Sequence, residues 1–501
     1  MSKNTQGPKR KSHLAGGAVG FASCYLLVLV FVFIMIVLNN PKGWKSYFHE
    51  ETFNIIFLIV SIFFLVFIVY FYFFFEDKQY LTKPGNVLLL FTLLIISMML
   101  CYAGSKIEPH VRPILLFPLI TVFLTNRRHA LFLNFIFTFL MFDIDYYTNL
   151  YPEASLSAGL LAVIYAPLVH GFVSGTLAVY LSGRVKTRAG LLLTGLVLAV
   201  PTMIICALLN LSAISGGVAE YAKAVGFRGI GCIVSAILAL ALLPLFEGMF
   251  NRLTAFRLRE LTSTNAPLIN RLKQEAPGTF NHSLIVAQLC ESCAVAVGEN
   301  AELARAAAYY HDVGKLKQPD CFTENQTDYN VHNELTPELS ADIIRSHAKD
   351  GYELLVSAHL PKQIADIARE HHGTLPIKYF YDKAMRLSGG EANLKDFSYF
   401  GPTPQSKLAA IVMIADGAEA ATRALADRTP ENVERTVRSI IEERIDLDQF
   451  AECDITMKEL TIIKQTLVSA LSGIHHHRVE YPAIRFTRDK QTVKEEDETH
   501  D

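Results

Sequence analysis

Between Leu14 and about Leu245, apolar runs of near-bilayer length recur between short polar loops, and beyond Arg252 that pattern stops. Eight runs stand out, at 14–38, 53–75, 87–102, 113–125, 130–142, 156–181, 191–211 and 230–245. The fourth and fifth are about 13 residues each against the roughly 20 that cross a bilayer core, and read as short, tilted or partly re-entrant. Basic residues set the orientation. Lys3, Lys9, Arg10 and Lys11 precede the first run, and Arg184, Lys186 and Arg188 follow the sixth, so both ends are expected in the cytoplasm and the span count even. The first run is too long for a signal-peptide core, and no small-residue cleavage site precedes the next polar loop, so it reads as a retained anchor.

From Glu275 to about Pro482 the periodicity is helical throughout, with no competing alternation of β-branched residues. The expected fold is all-α, a polytopic helical membrane domain followed by an all-helical cytoplasmic domain. Its divisions are a basic N-terminus (1–13), a first transmembrane anchor (14–38), a short extracellular loop (39–52), a seven-helix membrane domain (53–247), a coupling helix (248–274), the soluble domain (275–488) and an acidic tail (489–501) expected to be disordered. The coupling stretch has partial helical periodicity, interrupted near Pro267, and no Gly/Ser-rich linker, which suits mechanical transmission.

Composition agrees with this division. Of 501 residues 51% are hydrophobic, and a formal charge of −2 excludes bulk attraction to nucleic acid. The eight cysteines are scattered, Cys24, Cys101, Cys206 and Cys232 in or beside spans, so no disulfide framework is visible. Cys290 and Cys293 lie on an apparent helix without a second pair and read as small buried hydrophobes. His170 lies mid-span after Pro167, where a neutral imidazole bonded to a carbonyl freed by the proline competes with a ligand or proton-sensing role. Asp143 and Asp145 read as a span end, and Tyr70 to Phe75 as an interfacial aromatic belt.

The chemistry concentrates in seven residues of the soluble half: His282, His311, Asp312, His347, His371, His372 and Asp416. Each alone reads more simply as a hydrogen-bonded core residue. Together they offer imidazoles and carboxylates without thiolate, a donor set for borderline divalent metals, and the Asp312 carboxylate has two oxygens with which to bridge two ions. They are expected on five helices, with Gly314 stopping the helix that ends in His311 and Asp312 and Gly373 capping the one that ends in His371 and His372. Adjacent histidines point about 100° apart on a regular helix, so both serve one site only at a helix end. Pro244 and Glu247 lead out of the last span. His475, His476 and His477 have no accompanying carboxylate motif and read as a solvated helix end.

HDVGK, an upstream HS-containing helix, a later SH, then HHGT and an AD on a helix resemble the HD superfamily of metal-dependent phosphohydrolases. EAPGTFNHS, FTENQ, HNELTPELS, IIRSHAKDG, FGPTPQSKLAAIVMIAD and ECDITMKEL narrow the resemblance to membrane-anchored cyclic di-AMP phosphodiesterases of the seven-transmembrane-receptor HD family. It is close over 243–482 and holds in layout for the membrane half. The resemblance implies two divalent ions, iron or manganese, one held by His282, His311, Asp312 and Asp416 and the other by Asp312, His347, His371 and His372. It further implies that a hydroxide bridging them converts cyclic di-AMP to pApA and lowers the second-messenger level, with His311 and Asp312 at the catalytic centre. Lys315 is the first candidate for a phosphate contact, ahead of Lys317, each weighed against a surface helix-end role; Thr374 is a third, weighed against a capping role. The implied location is a bacterial cell membrane, with the catalytic domain in the cytoplasm, the lipid bilayer as partner and a two-fold dimer along the coupling segment.

The loop at 39–52 stands where this family carries a large extracellular domain, so an external sensor is not expected. Other readings fit less well. A cyclic di-GMP enzyme of HD-GYP type would carry GYP where HHGTLPIKYFY stands, and a guanosine tetraphosphate hydrolase would leave His347 and the double histidine unexplained. A nucleotide-binding receptor without activity would be expected to have lost a ligand, and a transporter lacks paired intramembrane charges.

Overall fold

A computed structural model describes residues 7–39, 52–147, 166–211, 214, 217–327 and 329–474. The chain divides into two units, one ending at Ser263 and one starting at Thr264. Among the described residues the secondary structure is helical, with one isolated antiparallel bridge between Pro376 and Ser398 and no strand. Residues 475–501, with the histidine cluster and the tail, lie outside the described residues, as do the 40–51 loop and the 148–165 segment.

The first unit contains α1 (Gly7–Asn39), α2 (Thr52–Glu76), α3 (Lys78–Thr82), α4 (Pro84–Ile107), α5 (Leu116–Leu124), α6 (Arg127–Tyr147), α7 (Ala166–Ser182), α8 (Arg188–Leu209), α9 (Val218–Met249) and α10 (Ala255–Leu261). Large apolar side chains cover its outside, such as Phe57, Phe64 and Phe67 on α2 and Leu193, Leu196 and Val200 on α8. That surface needs a hydrocarbon solvent. Six of these helices, α1, α2, α4, α6, α8 and α9, are long and apolar enough to cross a bilayer.

Several expectations change in detail. The fifth span is a full helix, α6, because its charged residues Arg127, Arg128, Asp143 and Asp145 sit inside helical ends that hydropathy alone cuts off. The fourth shrinks to the nine residues of α5, all buried but Phe123 and about 13 Å long, an internal helix too short to cross. Asp143 and Asp145 do not merely mark a helix end. Both are buried, Asp143 accepting from Ser61 Oγ at 2.6 Å and Asp145 Oδ2 from Arg112 Nη2 at 2.7 Å. The aromatic block is only half a belt: Phe75 is exposed, whereas Phe73 is buried and stacks on Tyr80, and Tyr72 stacks on Phe132. The 248–274 stretch is not one helix. Asn251 takes a left-handed φ of 47° just past α9, and α10 ends before Pro267 opens the next helix.

At the Met249 end of α9, Glu247 is buried among polar partners. It accepts from Thr254 Oγ1 and, at 3.4 Å, from Arg188 Nη2; Arg188 Nε also donates to Glu260 at 2.6 Å. The starts of α8 and α10 are thereby tied to the end of α9.

The second unit contains α11 (Pro267–Glu275), α12 (Pro277–Val297), α13 (Ala301–Tyr310), α14 (Pro337–Ser357), α15 (Lys362–Glu370), α16 (Lys378–Leu387), α17 (Lys407–Arg423), α18 (Pro430–Asp446) and α19 (Met457–Ile474). Starts are written in the sequence: Asn300, Thr336, Ser406 and Thr429 each accept a hydrogen bond from a backbone N–H of the first turn, and Pro follows Thr336 and Thr429. Small residues set the packing. Ala304 and Ala306 to Ala308 on α13, Cys290 and Cys293 on α12 and Ala409, Ala410 and Ala415 on α17 are fully buried, which brings these helices close around one point. Helix α12 is also long and apolar enough for a span, but its apolar face is covered by α13, α17 and α19.

Candidate metal centre

The five expected elements converge. His282 lies in the second turn of α12, which starts earlier than expected at Pro277; His311 caps α13 and Asp312 follows it. His347 is on α14, His371 and His372 follow the end of α15, and Asp416 is on α17. Gly314 does not stop α13, which ends at Tyr310. A Cβ there would stand 2.0 Å from the carbonyl oxygen of His347, so the missing side chain lets α14 approach the Asp312 loop. Gly373 has φ 52°, and beyond Glu370 both histidines turn inward with ring centroids 4.0 Å apart.

Two groups of ligand atoms result, His282, His311 and Asp416 in one, Asp312, His347, His371 and His372 in the other. Asp312 divides its oxygens between them. Oδ2 lies 3.3 Å from His311 Nε2 and 3.7 Å from His282 Nε2, while Oδ1 lies 3.3 Å from His347 Nε2 and 3.6 Å from His371 Nε2. Asp416 does the same on a second side, with Oδ1 3.0 Å from His282 Nε2 and Oδ2 3.8 Å from His372 Nδ1.

The outer nitrogens are fixed as well. Nδ1 of His311, His347 and His371 meets the carbonyl oxygen three residues back in its own helix, at 2.7, 2.5 and 2.7 Å. A carbonyl accepts only, so each Nδ1 donates its proton there and each Nε2 faces the centre. His282 Nδ1 is held at 2.5 Å by Glu419 Oε2, a carboxylate–histidine pair of the kind that raises ligand basicity. His372 stacks on Tyr399, centroids 4.2 Å apart.

Electrostatics make the same case. Asp312 Oδ1 and His311 Nε2 are buried without a hydrogen-bond partner, an expensive arrangement that a cation relieves. Burial works against charge at both residues, yet the Asp312 and Asp416 carboxylates hold His311 up at about 10, and His311 with Lys315 keeps Asp312 well below the usual range. Burial, with His311 and His347 nearby, brings His371 down to about 4. The donor set, buried, thiolate-free and split by two bridging carboxylates, fits a pair of divalent ions.

The other candidates differ in their distance from the ligands. Lys315 is largely covered between Asp312 Oδ2 at 2.8 Å and Glu324 Oε1 at 2.7 Å, and these carboxylates outweigh desolvation to raise its pKa. Lys317 is two-thirds exposed and pairs with Asp350. Thr374 Oγ1 accepts from Gln449 Nε2 at 2.9 Å. Sequence reading missed Glu419, Glu324 and Gln449. The first stands three residues after Asp416 on one helix, a visible signal; Glu324 lies in FTENQ, and nothing local marks Gln449.

Residues 279–421 match the HD domain family, and residues 52–254 match the family described as 7TM receptor with intracellular HD hydrolase. The second unit thus carries a match to the HD domain and the first a match to the 7TM receptor family. The chain's relatives include the cyclic-di-AMP phosphodiesterase PgpH of Bacillus subtilis, 42% identical over 63% of this chain and 44% of that protein, and that of Listeria monocytogenes, 41% identical over 62% and 43%. The chain therefore spans less than half the length of the curated relatives it matches. A crystal structure of the L. monocytogenes PgpH HD domain with cyclic-di-AMP is 46% identical over 43% of this chain and all of that one, with a TM-score of 0.41.

Proposed function

We propose that this protein is a membrane-bound phosphodiesterase that opens cyclic di-AMP to pApA at the two-group centre around Asp312. The observation that carries the reading is the division of the Asp312 oxygens between two sets of ligand atoms, and homology to proteins named for that activity supports the substrate. His282, His311, Asp312 and Asp416 hold one ion and Asp312, His347, His371 and His372 the other, iron or manganese by donor type. When bound, two such ions activate water at neutral pH and offset charge on phosphoryl oxygens.

The protein groups supply position and charge. Carbonyls and Glu419 fix the imidazole tautomers, so ligand lone pairs face the centre before substrate arrives. Lys315, held as an ammonium by two carboxylates, presents fixed positive charge beside Asp312 to a phosphate oxygen and takes no part in proton transfer. Thr374, whose oxygen already accepts from Gln449, has its own O–H left to donate to phosphate, and Lys317 meets the outer phosphate. An even number of spans, with the basic residues around the start of α1 and between α7 and α8 on the inner side, puts both ends and the second unit in the cytoplasm, and a homodimer is formed along α10 and α11.

The test is a chromatographic assay of the full chain in lipid nanodiscs with Mn²⁺ or Fe²⁺, offered cyclic di-AMP, cyclic di-GMP and guanosine tetraphosphate. Conversion of cyclic di-AMP to pApA, reduced to background in Asp312→Ala, is expected. Turnover of another nucleotide with cyclic di-AMP left intact would overturn the substrate.

A further inference from the structure

The membrane unit carries polar chemistry that the proposed reaction does not use. Where α4, α6 and α8 end and α7 and α9 begin, a cavity of about 220 Å³ is lined by His110, Arg112, Asp145, His170, Asn210 and Arg228, with Phe137, Met141 and Leu209 as apolar wall. It lies at the end of α9 remote from Met249. Ionisable groups inside a helical bundle in lipid are costly and are held by partners or by a task.

One pair is self-sufficient. Arg112 and Asp145 meet fork to fork, both nearly inaccessible, and their charges cancel. Arg228 is different: its Nη2 donates to His110 Nδ1 at 3.3 Å, a contact with an imidazole, and no described carboxylate pairs with it. A second and independent sign is His170, 5% exposed, whose Nε2 is buried without a hydrogen-bond partner. The walls are built for close approach. A Cβ on Gly231 would stand 3.0 Å from Arg112 O, and one on Gly171 2.6 Å from Thr138 Cγ2, so the α9 backbone meets the backbone at Arg112 and the α7 backbone meets the Thr138 side chain.

We propose that this cavity binds a singly charged oxyanion, a carboxylate or a phosphate diester, with Arg228 and His170 as the recognising groups and the apolar remainder of the ligand against Phe137, Met141 and Leu209. One guanidinium with no counter-charge among the described residues calls for one negative charge, and its planar fork matches two oxygens of either head. A cavity of about 220 Å³ suits a short acid or the head of a lipid. The site is independent of the reaction at the second unit.

The experiment uses the full chain in phosphatidylcholine nanodiscs, with hexanoate and its uncharged counterpart hexanol as soluble probes. A second preparation replaces part of the phosphatidylcholine with phosphatidylglycerol, and native mass spectrometry reads retained lipid. Saturable thermal stabilisation by hexanoate and none by hexanol is expected, with affinity falling about 30-fold or more in Arg228→Gln and in part recovered in Arg228→Lys. Retained phosphatidylglycerol that competes with hexanoate assigns the natural source to lipid; free binding of hexanoate in its presence assigns it to a soluble acid. Equal stabilisation by hexanol, or no saturable response to hexanoate and no retained phosphatidylglycerol in the unmodified chain, overturns the proposal without recourse to any variant.

Discussion

Asp312 and Asp416 each turn one oxygen to either group of imidazoles, so the centre is clasped from two sides. The seven residues were legible because short motifs carry them, His311, Asp312, His371 and His372 at helix ends and His282, His347 and Asp416 within helices. The division of the Asp416 oxygens was not, since it depends on how α17 is rotated in the core, which an all-apolar stretch does not encode. Glu419 gives the sharpest test at this scale. Glu419→Gln keeps the volume but weakens the hold on His282 Nδ1, and metal affinity should fall about 10- to 100-fold, read by chelator competition. An unchanged affinity would mean that the Glu419 contact does not tune the ligand. Thr374 and Gln449 are 75 residues apart in sequence, and only the folded chain joins them.

Between elements, glycines and caps decide the packing. Gly314→Ala would drive a methyl group against the His347 carbonyl, backbone against backbone, and should cost about 1–3 kcal/mol or more, seen as a lower unfolding temperature with metal content reduced alongside. An unaltered unfolding temperature would show that α14 can retreat freely. At the start of α19, Thr456 and Glu459 form a reciprocal cap, with Glu459 N donating to Thr456 Oγ1 at 3.2 Å and Thr456 N to Glu459 Oε2 at 2.8 Å. Thr456→Ala should destabilise by about 1 kcal/mol in denaturant unfolding and leave metal binding alone. Caps were readable one by one. The extent of α6 was not, because a helix carrying buried Asp143 and Asp145 looks finished to a hydropathy window before it is.

For the whole molecule, the two units differ in what stabilises them. The second draws on a site whose buried unpaired atoms call for cations, so stripping metal with a chelator should lower its unfolding temperature. At a free metal concentration 100-fold above the dissociation constant, one site adds about 2.7 kcal/mol, roughly 5–10 °C for a unit of this size. No shift on chelation would argue that the cluster is a metal-free polar core. The broad division at the end of the apolar runs was plain in the sequence. The broken connection was less so, since partial periodicity hides a left-handed residue such as Asn251.

One feature bears on how the chain is made. Helices α6 and α12 have nearly the same length and mean hydropathy, yet the proposed topology sends one into the bilayer and keeps the other out. Arg127 and Arg128 stand at the first turn of α6 as interfacial anchors, whereas α12 opens with Pro277, Gly278 and Thr279. For the membrane-insertion machinery α12 is a near-threshold segment, and its histidine and serine at 282 and 283 are part of what holds it below. On the proposed topology and ligand set, His282 would thus also act as a sorting signal during synthesis, long before any ion is bound. A reporter fused after Val297 should stay cytoplasmic in the native chain and begin to cross in the double variant His282→Leu, Ser283→Leu.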